Sequence, residues 1–144
     1  MKTLGWKRGM GILGCVALLS IIYISQRYNY LEVLLNVLGK DVNSAHPFTY
    51  FVFNKTLRFF LNDSTMVLMI WFIWMKKEYV RLAIAVELFG LLIILPLYFV
   101  LKLTFEGDSE ISSPLLSFIH RLIINPTLMI LLIPALFFQE KSKV

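Results

Sequence analysis

The sequence has one cysteine, Cys15, and two histidines, His46 and His120. A lone thiol excludes an internal disulfide framework and a zinc site built on cysteine pairs, since each needs at least two thiolates. Charge is scarce too: 16% of the 144 residues are Asp, Glu, Lys or Arg, against about a quarter in an ordinary soluble domain. The chain carries no H-E-x-x-H or G-x-S-x-G motif, no Gly-rich phosphate loop, no internal repeat and no stretch long and polar enough for a soluble domain. Nothing here specifies a catalytic residue, a metal or a cofactor. What is abundant is apolar: 58% of residues are hydrophobic and the mean hydropathy is +0.75. These residues stand in long Leu/Ile/Val/Phe/Met blocks separated by short charged patches, which excludes a soluble enzyme, a disordered tail and a coiled coil. The net charge of +5 and the pI of about 9.4 do not indicate nucleic acid, because the basic residues cluster at the ends of the apolar blocks. There they act as topology signals.

A transmembrane helix needs about 20 mostly apolar residues to cross a hydrocarbon core of about 30 Å. Four stretches are long enough, at residues 9–25, 57–75, 82–101 and 115–138. The expected fold is therefore all-α: a single polytopic membrane domain over residues 1–144 with four transmembrane helices. Lys2, Lys7 and Arg8 precede the first apolar run as they would in a signal peptide, but no small-x-small cleavage site and polar domain follow it. A retained helix is expected. Lys2, Lys7, Arg8, Lys76, Lys77, Arg81, Lys141 and Lys143 fall on one side of four spans, and Arg27, Lys40, Lys55 and Lys102 on the other. The richer side is cytoplasmic by the positive-inside rule, which places both termini there and loop 26–56 outside. Within that loop Tyr28, Leu31, Leu34, Leu35 and Leu38 recur at three- and four-residue spacings, predicting an amphipathic helix on the outer membrane surface. The aromatic run Phe48, Tyr50, Phe51 and Phe53 suits the headgroup belt.

Polar groups inside spans are costly and are the natural functional candidates. With the outer boundaries drawn at Leu57 and Leu115, Arg58 sits at the edge of the second span. Asn62 and Asp63 then share a depth with His120 and Arg121 of the fourth, and Asn125 comes near mid-membrane. Arg58 and Asn62 share a helix face, as do Arg121 and Asn125. Asp63 points about 140° away from Arg58 around an ideal helix, so it is expected to pair across helices with Arg121. That would leave Arg58 either reaching the headgroups or free to hold a phosphate or carboxylate. Glu87 is expected in a separate layer near the cytoplasmic end of the third span, either turned toward Lys77 or Arg81, or serving as a partner-helix contact or a proton site. Pro96, Pro126 and Pro134 are candidate kinks.

Two blocks carry a family resemblance. The segment His120-Arg-Leu-Ile-Ile-Asn-Pro-Thr-Leu-Met-Ile-Leu-Leu-Ile-Pro-Ala-Leu-Phe-Phe-Gln139 resembles the C-terminal end of the small exosortase F system-associated membrane proteins. The segment Lys55-Thr-Leu-Arg-Phe-Phe-Leu-Asn-Asp63 is similar to their other recognisable block, an Arg-aromatic-x-Leu-Asn run entering the second span. The resemblance implies a bacterial inner-membrane accessory of an exosortase, an intramembrane Cys/Arg/His transpeptidase-like enzyme that processes proteins with a C-terminal sorting tail. It supplies no catalytic residues for this chain, whose Cys15 lacks the context of that enzyme's nucleophile. The expected function is thus a non-enzymatic accessory that contacts lipid and an exosortase-like enzyme or its substrate tail through Arg58, Asn62, Asp63, His120, Arg121 and Asn125, with Glu87 secondary. The alternatives are an intramembrane enzyme or transfer protein acting on lipid or peptide headgroups, and a small transport subunit.

Overall fold

The computed structural model describes residues 5–39, 46–105 and 114–142, with the side chains of residues 115, 122 and 124 left out. Those residues form helices and turns, with no strand among them. The first helix, α1 (Trp6–Ile24), ends in a 3-10 turn at Ser25–Arg27, and a short α2 (Tyr30–Val37) follows. The long α3 (Pro47–Trp74) opens with Pro47 in its first turn, where a missing N–H costs nothing. His46 caps it, its Nδ1 accepting from the Phe48 N–H at 3.3 Å. The helix stops at Met75, whose left-handed φ of 54° reverses the chain, and its N–H still reaches the Trp71 carbonyl at 2.7 Å. α4 (Lys77–Phe89), a π-helical segment (Gly90–Ile94) and α5 (Leu95–Phe105) then run on as one continuous rod. The π segment lies immediately ahead of Pro96, whose ring would clash with the carbonyl four residues back in regular α-helix; widening the turn absorbs the proline without a break. α6 (Pro114–Ile124) and α7 (Thr127–Lys141) are separated at Asn125–Pro126.

Three helices are long and apolar enough to cross a membrane: Trp6–Arg27, Pro47–Trp74 and Lys77–Phe105. At about 1.5 Å per residue each exceeds the ~30 Å hydrocarbon core. The first and third lie over the apolar blocks seen in the sequence, while the second begins ten residues before the Leu57 boundary expected for it. The stretch expected as a fourth span is two helices of 11 and 15 residues, neither long enough alone. Pro126 lacks the N–H needed to continue α6, so the hydrogen-bond ladder restarts at Thr127.

α3 is the hub, touching α1, α2, α4, α6 and α7. Phe59, Leu95, Tyr98, Leu116 and Ile123 form one apolar core where α3 meets α5 and α6. Met66, Ile70, Tyr79, Ala83, Met129 and Leu136 form a second where α3 meets α4 and α7. α6 and α7 therefore lie head to tail along the bundle. Gly11 packs on Phe72, and Lys76 pairs with Glu140, so the start of α1, the α3–α4 turn and the end of α7 gather at one end. The Glu140 carboxylate accepts from Lys76 and from the Tyr79 hydroxyl, and raises the Lys76 ammonium above its ordinary value. Large apolar side chains such as Leu13, Leu92, Leu131 and Phe138 are exposed around the outside. A hydrocarbon-facing exterior is consistent with a membrane protein.

α2 falls inside the stretch expected as an amphipathic helix. Its buried Leu31 faces α3, while Val33, Leu34, Val37 and Leu38 are exposed. Asn54 clasps it: the side-chain oxygen accepts from the Leu31 N–H at 3.3 Å, and the amide donates to the Asn29 side chain. Asn54→Ala removes both bonds and is expected to cost about 1–2 kcal/mol. Hydrogen exchange should then quicken across Tyr30–Val37 and leave α7 unchanged; equal protection of α2 in the variant would show that Leu31 packing alone holds it.

Candidate functional site

Two polar clusters lie on α3, one half-buried near its start and one buried further along. In the first, near the loop end, the Lys55 amine stands 2.7 Å from His120 Nε2, a distance at which an ammonium donates to an unprotonated imidazole nitrogen. Tyr98 leans on the His120 ring with centroids 5.7 Å apart, and Lys55 lies over Phe51 at 5.7 Å. Lys102 of α5 is buried close by and has a partner of its own. Phe51 and His120 thus hold the Lys55 side chain at the end of the bundle.

Arg58 belongs to the wall beside this cluster, and it is not free. Its Nη2 donates to the Gln26 carbonyl and, at 3.3 Å, to the Tyr28 carbonyl. The guanidinium also lies 5.5 Å from the centre of the Tyr30 ring. These carbonyls belong to the turn that ends α1, where helix geometry leaves acceptors without partners, so Arg58 acts as a C-terminal cap supplied from another helix. Neither alternative drawn from the sequence, reaching the headgroups or waiting for an anion, describes that geometry.

The second cluster lies midway along the bundle. Asn62, Asp63 and Thr65 are buried on α3. Thr65 turns its hydroxyl to the Leu61 carbonyl of its own helix at 2.7 Å, and Asn62 also has a partner. Ser64 donates to Glu87 Oε1 at 2.7 Å across the α3–α4 interface. Asp63 is not paired with Arg121: Arg121 is exposed on α6, and Asp63 Oδ1 is buried without a hydrogen-bond partner. Nor is Glu87 remote from the Asp63 layer. The second correction follows from the start of α4: that helix begins at Lys77, five residues before the Leu82 boundary expected for it, so Glu87 lies ~15 Å along it, and Asp63 lies ~16 Å along α3 from Trp74. The antiparallel pair therefore brings the two carboxylates to one depth.

Of the residues singled out from the sequence, Asn62, Asp63 and Glu87 come together, His120 joins the loop-end cluster, and Arg58 is bound to backbone. Arg121 and Asn125 are exposed, four residues apart on one face of α6 where it meets the break. Lys55, Lys102, Ser64 and Asn54 stand in no site read from the sequence, where the two lysines are loop charges. A histidine followed by proline ahead of an aromatic run is a helix start, and reading it so would have moved Lys55 and Asn54 inside the helix.

Cys15 is buried on α1 as a free thiol, away from both clusters in sequence and bonded to neither. The sites can hold charge and accept hydrogen bonds. Compared with family models, curated proteins and solved structures, the chain matches none.

Proposed function

We propose that this chain is a non-enzymatic accessory of an exosortase-type protein-sorting system in the bacterial inner membrane. In this reading both termini are cytoplasmic, α6 and α7 together make a fourth crossing broken at Pro126, and α2 lies on the outer surface among the lipid headgroups. The protein docks the sorting enzyme or the tail of its substrate within the bilayer. The observation that carries the proposal is the outward face of α6, where Phe118, Arg121 and Asn125 are exposed at helical spacing. An arginine on a lipid-facing surface is costly unless a partner helix supplies a carboxylate or carbonyl, and Asn125 adds hydrogen-bonding groups one turn further on. The two blocks resembling exosortase-associated proteins contain this face and the Arg58 cap, which is why an exosortase-type enzyme is the partner named.

Co-purification from membranes that hold both proteins tests this. Arg121→Ala and Asn125→Leu should each weaken recovery of the enzyme and slow sorting, with the variant chain still folded and at wild-type abundance. Unchanged association together with unchanged sorting would end the proposal. The Lys55–His120 pair favours one second reading, an enzyme or transfer protein acting on anionic headgroups. Activity of the purified chain alone on lipid or peptide substrate, abolished by His120→Ala, would replace the accessory role.

A further inference from the structure

Asp63 and Glu87 lie on facing helices at one depth in the bundle, 2% and 8% exposed. Glu87 is anchored by the Ser64 hydroxyl at 2.7 Å. Asp63 presents a side-chain oxygen, Oδ1, that is out of contact with solvent and has no donor. No described Lys, Arg or His bonds either carboxylate: Lys55 is bonded to His120, Arg58 to the α1 turn and Lys76 to Glu140. The remaining charged groups on the packed elements are placed elsewhere: Lys7, Lys77, Glu78, Arg81, Arg121 and Lys141 are exposed, Arg8 stands in the first turn of α1, and Lys102 lies beyond the π segment, on α5, with a partner of its own. Cys15 of α1 is a buried free thiol, and Tyr79 of α4 is bonded to Glu140 of α7. Two adjacent carboxylates cannot both stay ionised in a low-dielectric interior with nothing to balance them. An acceptor without a donor is the mark of a missing proton or ligand. One proton answers both conditions: it removes one negative charge and converts one acceptor of the pair into a donor.

We propose that Asp63 and Glu87 form a proton-binding site inside the bundle, the pair carrying one proton at neutral pH with Ser64 fixing the Glu87 side. The site is independent of the docking face of α6 and holds whichever partner the protein has.

Infrared spectroscopy of the purified full chain in phospholipid vesicles reads it directly. A carboxylic-acid carbonyl band should be present at pH 7 and disappear as the pH is raised. Asp63→Asn should abolish that band, since the remaining carboxylate then has an amide donor and no like charge beside it. Glu87→Gln should lower the midpoint at which the band is lost by at least one pH unit, a tenfold weaker hold on the proton. Absence of the band from the wild-type chain at pH 7 overturns the proposal without reference to any variant's folding. So does a band of wild-type intensity and midpoint in both variants, or one that sodium chloride abolishes at constant pH, which would make the occupant a metal cation.

Discussion

Replacing Gly11 with leucine is expected to prise α1 away from α3 and destabilise the fold by about 1–3 kcal/mol, the usual cost of forcing extra atoms into a packed contact. A Cβ at this position would stand 2.5 Å from Phe72 Cδ1 and 2.6 Å from Cε1 and Cγ. The contact includes the root of the ring as well as its edge, so turning the Phe72 ring about its Cβ–Cγ bond does not clear it. Close approach of helices over a small residue is how membrane helices gain packing contacts where the apolar solvent offers no drive to associate. Gly14, on the same helix, has nothing within 4 Å of a built Cβ. Gly14→Leu is therefore the control, and it should unfold in mild detergent at the wild-type temperature. Gly11→Leu should unfold at a lower temperature, and Phe72→Ala in the same chain should restore part of the loss. Equal melting of the two glycine variants would show that α1 is not held by this contact.

The Arg58 cap should give the other large effect. Arg58→Ala removes two charge-assisted hydrogen bonds and the Tyr30 contact and leaves the Gln26 and Tyr28 carbonyls without their donor. About 2–4 kcal/mol is expected from bonds of this type. Arg58→Lys should recover little, because an ammonium cannot present the planar fork that reaches two carbonyls and covers a ring at once. The loss should be local before it is global: protease sensitivity and hydrogen exchange should rise in the Ser25–Tyr30 turn while the α4–α7 contact stays protected. Full rescue by lysine would reduce Arg58 to a positive charge near the surface.

Helix content and the three long apolar helices could be read from composition, because apolar residues on all sides of a 20-residue segment leave lipid or a core as the only partner. That Asn62, Asp63, Glu87 and His120 call for partners was also legible, since polar atoms in such segments are costly alone. Their pairings were not. The ten residues between Pro47 and the expected Leu57 boundary turned Lys55 into a loop charge, and the five between Lys77 and the expected Leu82 boundary put Glu87 in the wrong layer. The break at Asn125–Pro126 was visible as a candidate kink, but whether a proline bends, widens or ends a helix depends on what surrounds it. Pro96 is accommodated by a π segment, whereas the ladder stops at Pro126.

Composition by itself thus determined that this is an all-helical chain with apolar exteriors and a few expensive polar groups inside. Tertiary structure alone decided what those groups do. Helical periodicity states which residues share a face, but the identity of the facing atoms comes from segments distant in sequence. Arg58 meets the carbonyls that end α1, and His120 meets Lys55. Ser64 meets Glu87, leaving Asp63 buried beside them with an oxygen that has no donor.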